Sequence, residues 1–138
     1  MVDESRKEPA YRRRLRSTRS DELFMQMIKK VVIEKKFLDS DYNAARLALD
    51  LSTNTRYISA VVALHTGQNF NQFINSYRLR EACRKLCSSR YAAYTVEEIG
   101  LSCGFASRQA FYLAFRRVYD LTPQRYRQQY RQHDAEDS

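Results

Sequence analysis

The chain has 138 residues, 43% of them hydrophobic, and a formal net charge of +8. That is enough for one domain, or for two very small ones sharing a helix, and no apolar run approaches the ~20 residues that a bilayer demands. The first twenty residues are charged and hold no apolar stretch like that of a secretory signal, so a cytoplasmic protein is expected.

Residues 1–20 carry seven Lys/Arg against three Asp/Glu, with Arg12, Arg13, Arg14, Arg16 and Arg19 crowded together. This stretch reads as a disordered basic arm or linker. It is either a solvated tail or an electrostatic arm that gains affinity by releasing counterions from phosphates. Helix 1 follows from about Asp21, with Leu23, Phe24, Met27, Ile28, Val31 and Val32 on one face and Lys29, Lys30, Lys35 and Lys36 toward its C-terminal end. Asp39, Ser40 and Asp41 then supply a start for helix 2, whose apolar members are Ala44, Ala45, Leu47, Ala48 and Leu51.

Asn54 is the expected N-cap of helix 3, which turns Ile58, Val61 and Val62 inward and stops at Gly67. Asn69 with Gln72 fits a capping box for a long helix 4, residues 70–88, with Phe70, Phe73, Ile74, Tyr77, Leu79, Ala82, Cys83 and Leu86 buried. A linker from Ser88 to Tyr94 leads to a second capping box, Thr95 with Glu98, opening helix 5 (Val96, Ile99, Cys103). Gly104 makes the turn, Ser107 caps helix 6, and Phe111, Ala114, Phe115 and Val118 are expected inside. Thr122-Pro123 is an N-cap followed by proline at the first helical position, so helix 7 starts there and packs Tyr126 and Tyr130 back. Residues 133–138, with Asp134, Glu136 and Asp137, read as a disordered acidic tail. The expected fold is all-α, with no alternating pattern from which to build strands.

Two stretches of this chain repeat one another. Ile58, Val62 and Phe73 are matched by Phe111, Phe115 and Tyr126, each 53 residues on, while Ala48 and Ser52 are matched by Gly100 and Gly104 at an offset of 52. Each copy reads as helix, tight turn, helix, the unit that places a helix in a DNA major groove. The division expected is a first helix-turn-helix subdomain with the linking helix over residues 21–87 and a second over residues 88–132.

The outward rows of helices 3 and 6 are therefore the candidate base-reading surfaces. They comprise Arg56, Ser59, Ala60 and Ala63 in the first half and Arg108, Gln109, Tyr112 and Leu113 in the second, with Arg116 a turn further. Arginine can bind guanine O6/N7 bidentately, glutamine can do the same at adenine N6/N7, and small apolar groups meet the thymine methyl. Orphan N–H groups at helix starts, near Ser40–Asp41 and at Thr95, are candidate phosphate sites. Arg46, Arg116 and Arg117 could flank the backbone.

An enzyme is not expected, because no nucleophile–base pair, Gly-rich phosphate loop or metal set is present. Cys83, Cys87 and Cys103 read as core-filling thiols, His65 and His133 are too far apart in sequence to complete a zinc site, and no cofactor is expected. Two rivals stay open. One is a helical interaction module for an acidic protein partner; the other is a nonspecific or RNA-binding protein.

The run 52–82, together with Val96 to Arg127, resembles the two halves of the DNA-binding domain of AraC/XylS-family transcription regulators. Ile99, Gly104-Phe105, Ser107, Phe111, Phe115-Arg116, Thr122-Pro123 and Tyr126-Arg127 carry the signature, and the similarity covers about residues 21–130. The resemblance implies seven helices with two helix-turn-helix motifs bridged by the fourth. It also implies base contacts at Arg56, Ser59, Ala60, Arg108, Gln109, Tyr112 and Leu113. Asn54, Thr55, Arg46, Thr95, Ser107 and Arg116 are the phosphate candidates. It further implies double-stranded DNA and RNA polymerase as partners, an activator role, a bacterial nucleoid setting, and a sensing or dimerisation domain elsewhere. This sequence departs from the family at Ser52 and Asp120, which stand where glycine is usual, and at Val62, where phenylalanine is common.

Overall fold

The computed structural model describes the backbone of residues 10–137, with side chains at residue 10 and over residues 18–131. Among the described residues there are seven α-helices and no strand: α1 (Ala10–Ile28), α2 (Ala44–Asp50), α3 (Thr55–Thr66), α4 (Phe70–Leu86), α5 (Val96–Ser102), α6 (Arg108–Tyr119) and α7 (Pro123–Asp137). A π-turn over Lys29–Ile33 extends α1, and short 3₁₀ turns occupy Lys36–Leu38 and Ser89–Tyr91.

The boundaries and caps differ from the sequence reading in several places, among them the end of α4, at Leu86 rather than residue 88. Helix α1 begins at Ala10, so the backbone of the expected disordered arm is helical from there on, while residues 1–9 lie outside the described part. Arg, Leu and Ala favour helix, and no breaker interrupts the run after Pro9. At the other end α7 carries its backbone through to Asp137, with the side chains of the expected acidic tail beyond the described ones. The start of α2 is Asn43, whose side chain accepts from the Arg46 N–H at 2.9 Å, whereas Asp39 instead accepts from the Asp41 N–H within the preceding turn. Finally, only half of the Thr95–Glu98 box closes, Thr95 accepting from the Glu98 N–H, while Asn69 and Gln72 cap α4 reciprocally.

The internal repeat is visible in the caps. Asn54 and Ser107 cap α3 and α6, and both helices end on a left-handed residue, Gly67 (φ 71) and Asp120 (φ 56). The turns before them bend at Ser52 (φ 55) and Gly104 (φ 101). Ser52 and Asp120 therefore occupy a region that non-glycine residues enter at a cost.

Two hydrophobic cores result, and α4 serves both. Its N-terminal half gives Phe70, Phe73 and Ile74 to the core formed with Met27, Val31, Leu47, Ile58 and Val62. Its C-terminal half gives Leu79, Ala82 and Leu86 to the core of Ile99, Cys103, Phe111 and Phe115. The apolar residues change faces midway along the helix, which is how one element can hold two subdomains. In the second core the ring of Phe111 lies so close to Gly100 that a Cβ there would meet it at 2.3 Å. Burial pushes the Cys103 thiol up to about 11, in keeping with a core-filling role. Two expected core residues are outside: Val118 is 60% exposed and Tyr130 45%, since neither packs on the core that Phe115 and Tyr126 join.

Candidate nucleic-acid interface

Each half pairs a short helix with a second one whose inner face is apolar and whose outer face is open. Ile58, Val61 and Val62 anchor α3, and Phe111 and Phe115 anchor α6. The opposite sides carry Arg56, Ser59, Ala60 and Ala63 on α3, and Arg108, Gln109, Leu113 and Arg116 on α6, all exposed. Leu113 is 62% exposed, an apolar side chain placed on the outer surface of a helix with polar neighbours.

Tyr112 is placed differently. Its ring is half-buried against the second core, edge-on to Phe111. The hydroxyl donates to Glu97 Oε1 at 3.1 Å and accepts from the Gln124 side chain. Arg108 joins this group, with its Nε 3.2 Å from the same carboxylate oxygen and its guanidinium 4.9 Å above the Tyr112 ring. On α3, Arg56 has no ion pair among the described residues.

The candidate phosphate contacts sit at helix starts. The side-chain oxygens of Asn54, Thr95 and Ser107 accept from N–H groups of their own first turns, at 2.8, 3.1 and 3.1 Å. Those side chains keep a spare amide or hydroxyl hydrogen, and Thr55 lies exposed beside Asn54. Arg46 is exposed and lies 3.3 Å from Asp39, with Tyr42 beneath it. The Ser40–Asp41 pair is not a helix start, so no first-turn N–H groups converge there.

Two buried arginines hold these helices in place. Arg78 of α4 donates to the carbonyls of Phe37 and Asp39, at 2.7 and 3.0 Å, just before α2. Arg127 of α7 donates to Tyr94 and Tyr91, both at 2.7 Å, just before α5. In each half the helix after the motif thus grips the chain entering it. Burial lowers both guanidinium pKa values, yet arginine stays charged in this range. Sequence reasoning assigned Arg78 no role; its signal was an arginine one turn after the buried Ile74.

A family model described as a helix-turn-helix domain matches residues 47–129, more than half of the chain. The chain belongs to the AraC-type helix-turn-helix family. The regulatory protein PocR of Salmonella typhimurium is 30% identical over 92 residues, covering 67% of this chain and 29% of PocR. The C-terminal domain of AraT, a response regulator from Geobacillus stearothermophilus, superposes with a TM-score of 0.63 at 25% identity, over 70% of this chain and 78% of that one. A Chromobacterium violaceum transcriptional regulator described as AraC-type shares the fold, with a TM-score of 0.61 at 19% identity, over 77% and 94% of the two chains.

This AraC-type domain is thus all-α and belongs with DNA-binding transcription regulators rather than with enzymes. It spans less than a third of PocR's length. Among the described residues no helix is long and apolar enough to cross a membrane, and no three His, Cys, Asp or Glu residues converge as a metal site would need.

Proposed function

We propose that this domain reads two adjacent major-groove segments of duplex DNA, with α3 in one and α6 in the other. The observation that carries the reading is the paired outer faces: two capped helices, each anchored by apolar residues on one side, present short or hydrogen-bonding side chains on the other. Arg56, Arg108 and Gln109 suit purine edges, Ser59 and Ala60 allow close approach, and Leu113 suits a thymine methyl. Tyr112 acts by holding Arg108 rather than by reaching a base, since its hydroxyl is already engaged at both ends. Thr55, the N–H groups at Asn54, Thr95 and Ser107, and the guanidinium groups of Arg46 and Arg116 position the domain on phosphates.

Helix α4 sets the separation of the readers. Seventeen residues at ~1.5 Å each give ~26 Å, of the order of the ~34 Å between successive major-groove faces. One chain can therefore engage both without a second copy. Activation of transcription through RNA polymerase, in a bacterial nucleoid, follows from the family resemblance, as does a sensing or dimerisation domain attached to the reader.

The test is selection of bound duplexes from a random library at ~150 mM salt, a concentration at which phosphate contacts alone bind weakly. The wild-type domain should enrich two boxes about one helical turn apart. The Arg108→Ala/Gln109→Ala variant should change the second box and leave the first. Enrichment of no motif by a folded domain would favour a protein-binding module or a nonspecific nucleic-acid binder.

A further inference from the structure

Given that two-box reading, on which this step rests, we infer that Glu97 is a specificity-determining residue that aims Arg108, so that the second reader is pre-set and the first is not. Glu97 lies on α5, outside the candidate reading face, and its sequence neighbourhood suggests nothing more than a helix start. The structure gives it a different place. One carboxylate oxygen meets Arg108 Nε at 3.2 Å and the Tyr112 hydroxyl at 3.1 Å. Gln124 of α7 donates to that same hydroxyl, so three helices converge on the side chain that holds the arginine. The Tyr112 ring lies under the guanidinium and is itself wedged against Phe111.

The chemistry of the arrangement is orientation. A long arginine side chain loses rotamer freedom when it binds a base, and a guanidinium already fixed at Nε and stacked on a ring has less to lose. An ion pair made through Nε leaves the two terminal nitrogens for other acceptors. Those are the pair that a guanine O6/N7 edge accepts bidentately. The Arg108 side chain is 66% exposed and that of Glu97 37%, so the arginine is held at Nε while most of its side chain stays open.

The repeat makes the contrast within one molecule. In its register, Glu97, Arg108, Tyr112 and Gln124 correspond to Ala45, Thr55, Ser59 and Asn71. None of the first three can form such a clamp, and Arg56 of the first reader has no ion pair among the described residues. The second box should therefore hold the more sharply defined base pair.

The experiment is the same duplex selection, run on the full chain and on Glu97→Ala, Glu97→Gln, Tyr112→Phe, Arg108→Ala and Arg108→Ala/Glu97→Ala, with thermal melting to confirm folding. Arg108→Ala should flatten one base pair of the second box, a loss of roughly 5- to 150-fold in discrimination. Glu97→Ala should flatten that same base pair by at least about fivefold with Arg108 still present. In the Arg108→Ala background it should add nothing, the signature of two residues acting as one unit. Affinity for unrelated duplex should hold, whereas a structural defect would weaken all sequences together. Glu97→Gln keeps the acceptor and should keep the preference; Tyr112→Phe should weaken it. If Glu97→Ala leaves the base pair as sharp as in wild type, or if Glu97→Gln flattens it equally, the positioning role is overturned. If the wild-type domain enriches no motif, the DNA reading itself fails, a separate result.

Discussion

The Nε of Arg78 donates to the carbonyl oxygen of Phe37 at 2.7 Å, and this bond lies where the two subdomains touch. Gly104, in the turn of the second motif, packs directly on it. A Cβ there would meet the Phe37 oxygen at 2.1 Å and Arg78 Nε at 2.9 Å. One arginine thus satisfies the turn before α2, while the glycine lets the second motif approach that turn.

Gly104→Ala should accordingly be among the most damaging small substitutions in the chain. It combines a φ of 101° with a collision against backbone that cannot rotate away. Urea unfolding should show a loss of roughly 3 kcal/mol or more. Arg78→Met should cost about 1–3 kcal/mol for each carbonyl left without a donor. A loss under ~0.5 kcal/mol for Gly104→Ala, the level of an ordinary surface change, would mean that the subdomains do not pack as described.

The left-handed positions at Ser52 and Asp120 point the other way. Their φ values of 55° and 56° suit glycine, so Ser52→Gly and Asp120→Gly should each raise stability by about 1 kcal/mol. Asp120 should gain less, since aspartate enters this region more readily than serine does. Thermal melting of the two single variants and the double is sufficient, and the gains should add because the sites belong to separate turns.

His65 makes the first subdomain sensitive to pH. Its Nε2 lies 2.8 Å from Asp21 and its Nδ1 lies 2.9 Å from the Val61 carbonyl, with Phe24 stacked on the ring at 4.5 Å. Both ring nitrogens face acceptors, which suits the doubly protonated form. The hydrogen bond to Asp21, then that to Val61, raises the pKa above its usual value. Because the folded pKa exceeds the unfolded one, this contribution is complete below about pH 6.5 and fades as pH rises through the folded value. Stability of the wild type should fall between mildly acidic and mildly alkaline pH, and His65→Gln should remove that part of the slope. Equal slopes for the two proteins would exclude the imidazolium clamp.

The arginine cluster ahead of the first core should act without sequence preference. Replacing Arg12, Arg13, Arg14, Arg16 and Arg19 with glutamine should weaken binding to all duplexes alike. The slope of log K against log salt should become shallower by about 0.9 for every phosphate that is no longer neutralised. A change in the selected motif instead would place the cluster among the base-reading residues.

Much of the architecture was legible because helices and caps are local. Apolar spacing marked Leu23 and Met27 on α1, Val31 in the π-turn that extends it, and Ile58, Val61 and Val62 on α3, all buried. The 53-residue repeat matched the cap pairs Asn54/Ser107 and Gly67/Asp120, and the departures at Ser52 and Asp120 fell on positive φ. Val118 was misplaced because periodicity marks a stripe without telling where the neighbouring helix ends.

What only tertiary structure decided are contacts that sequence separation hides. Arg78 and Phe37 are 41 residues apart, Arg127 and Tyr94 33, and Tyr112 and Glu97 15. No local pattern links such pairs, since each depends on the angle at which two helices cross. Spacing placed Tyr112 on the outer row of α6, but the packing of α5 and α7 engages its hydroxyl with Glu97 and Gln124. The sequence by itself determined two helix-turn-helix units and the helix between them, because 3.6-residue periodicity and capping act over a few residues. The Arg108–Glu97 pair and the grip of the two buried arginines came from packing, where charges and carbonyls distant along the chain share one small volume.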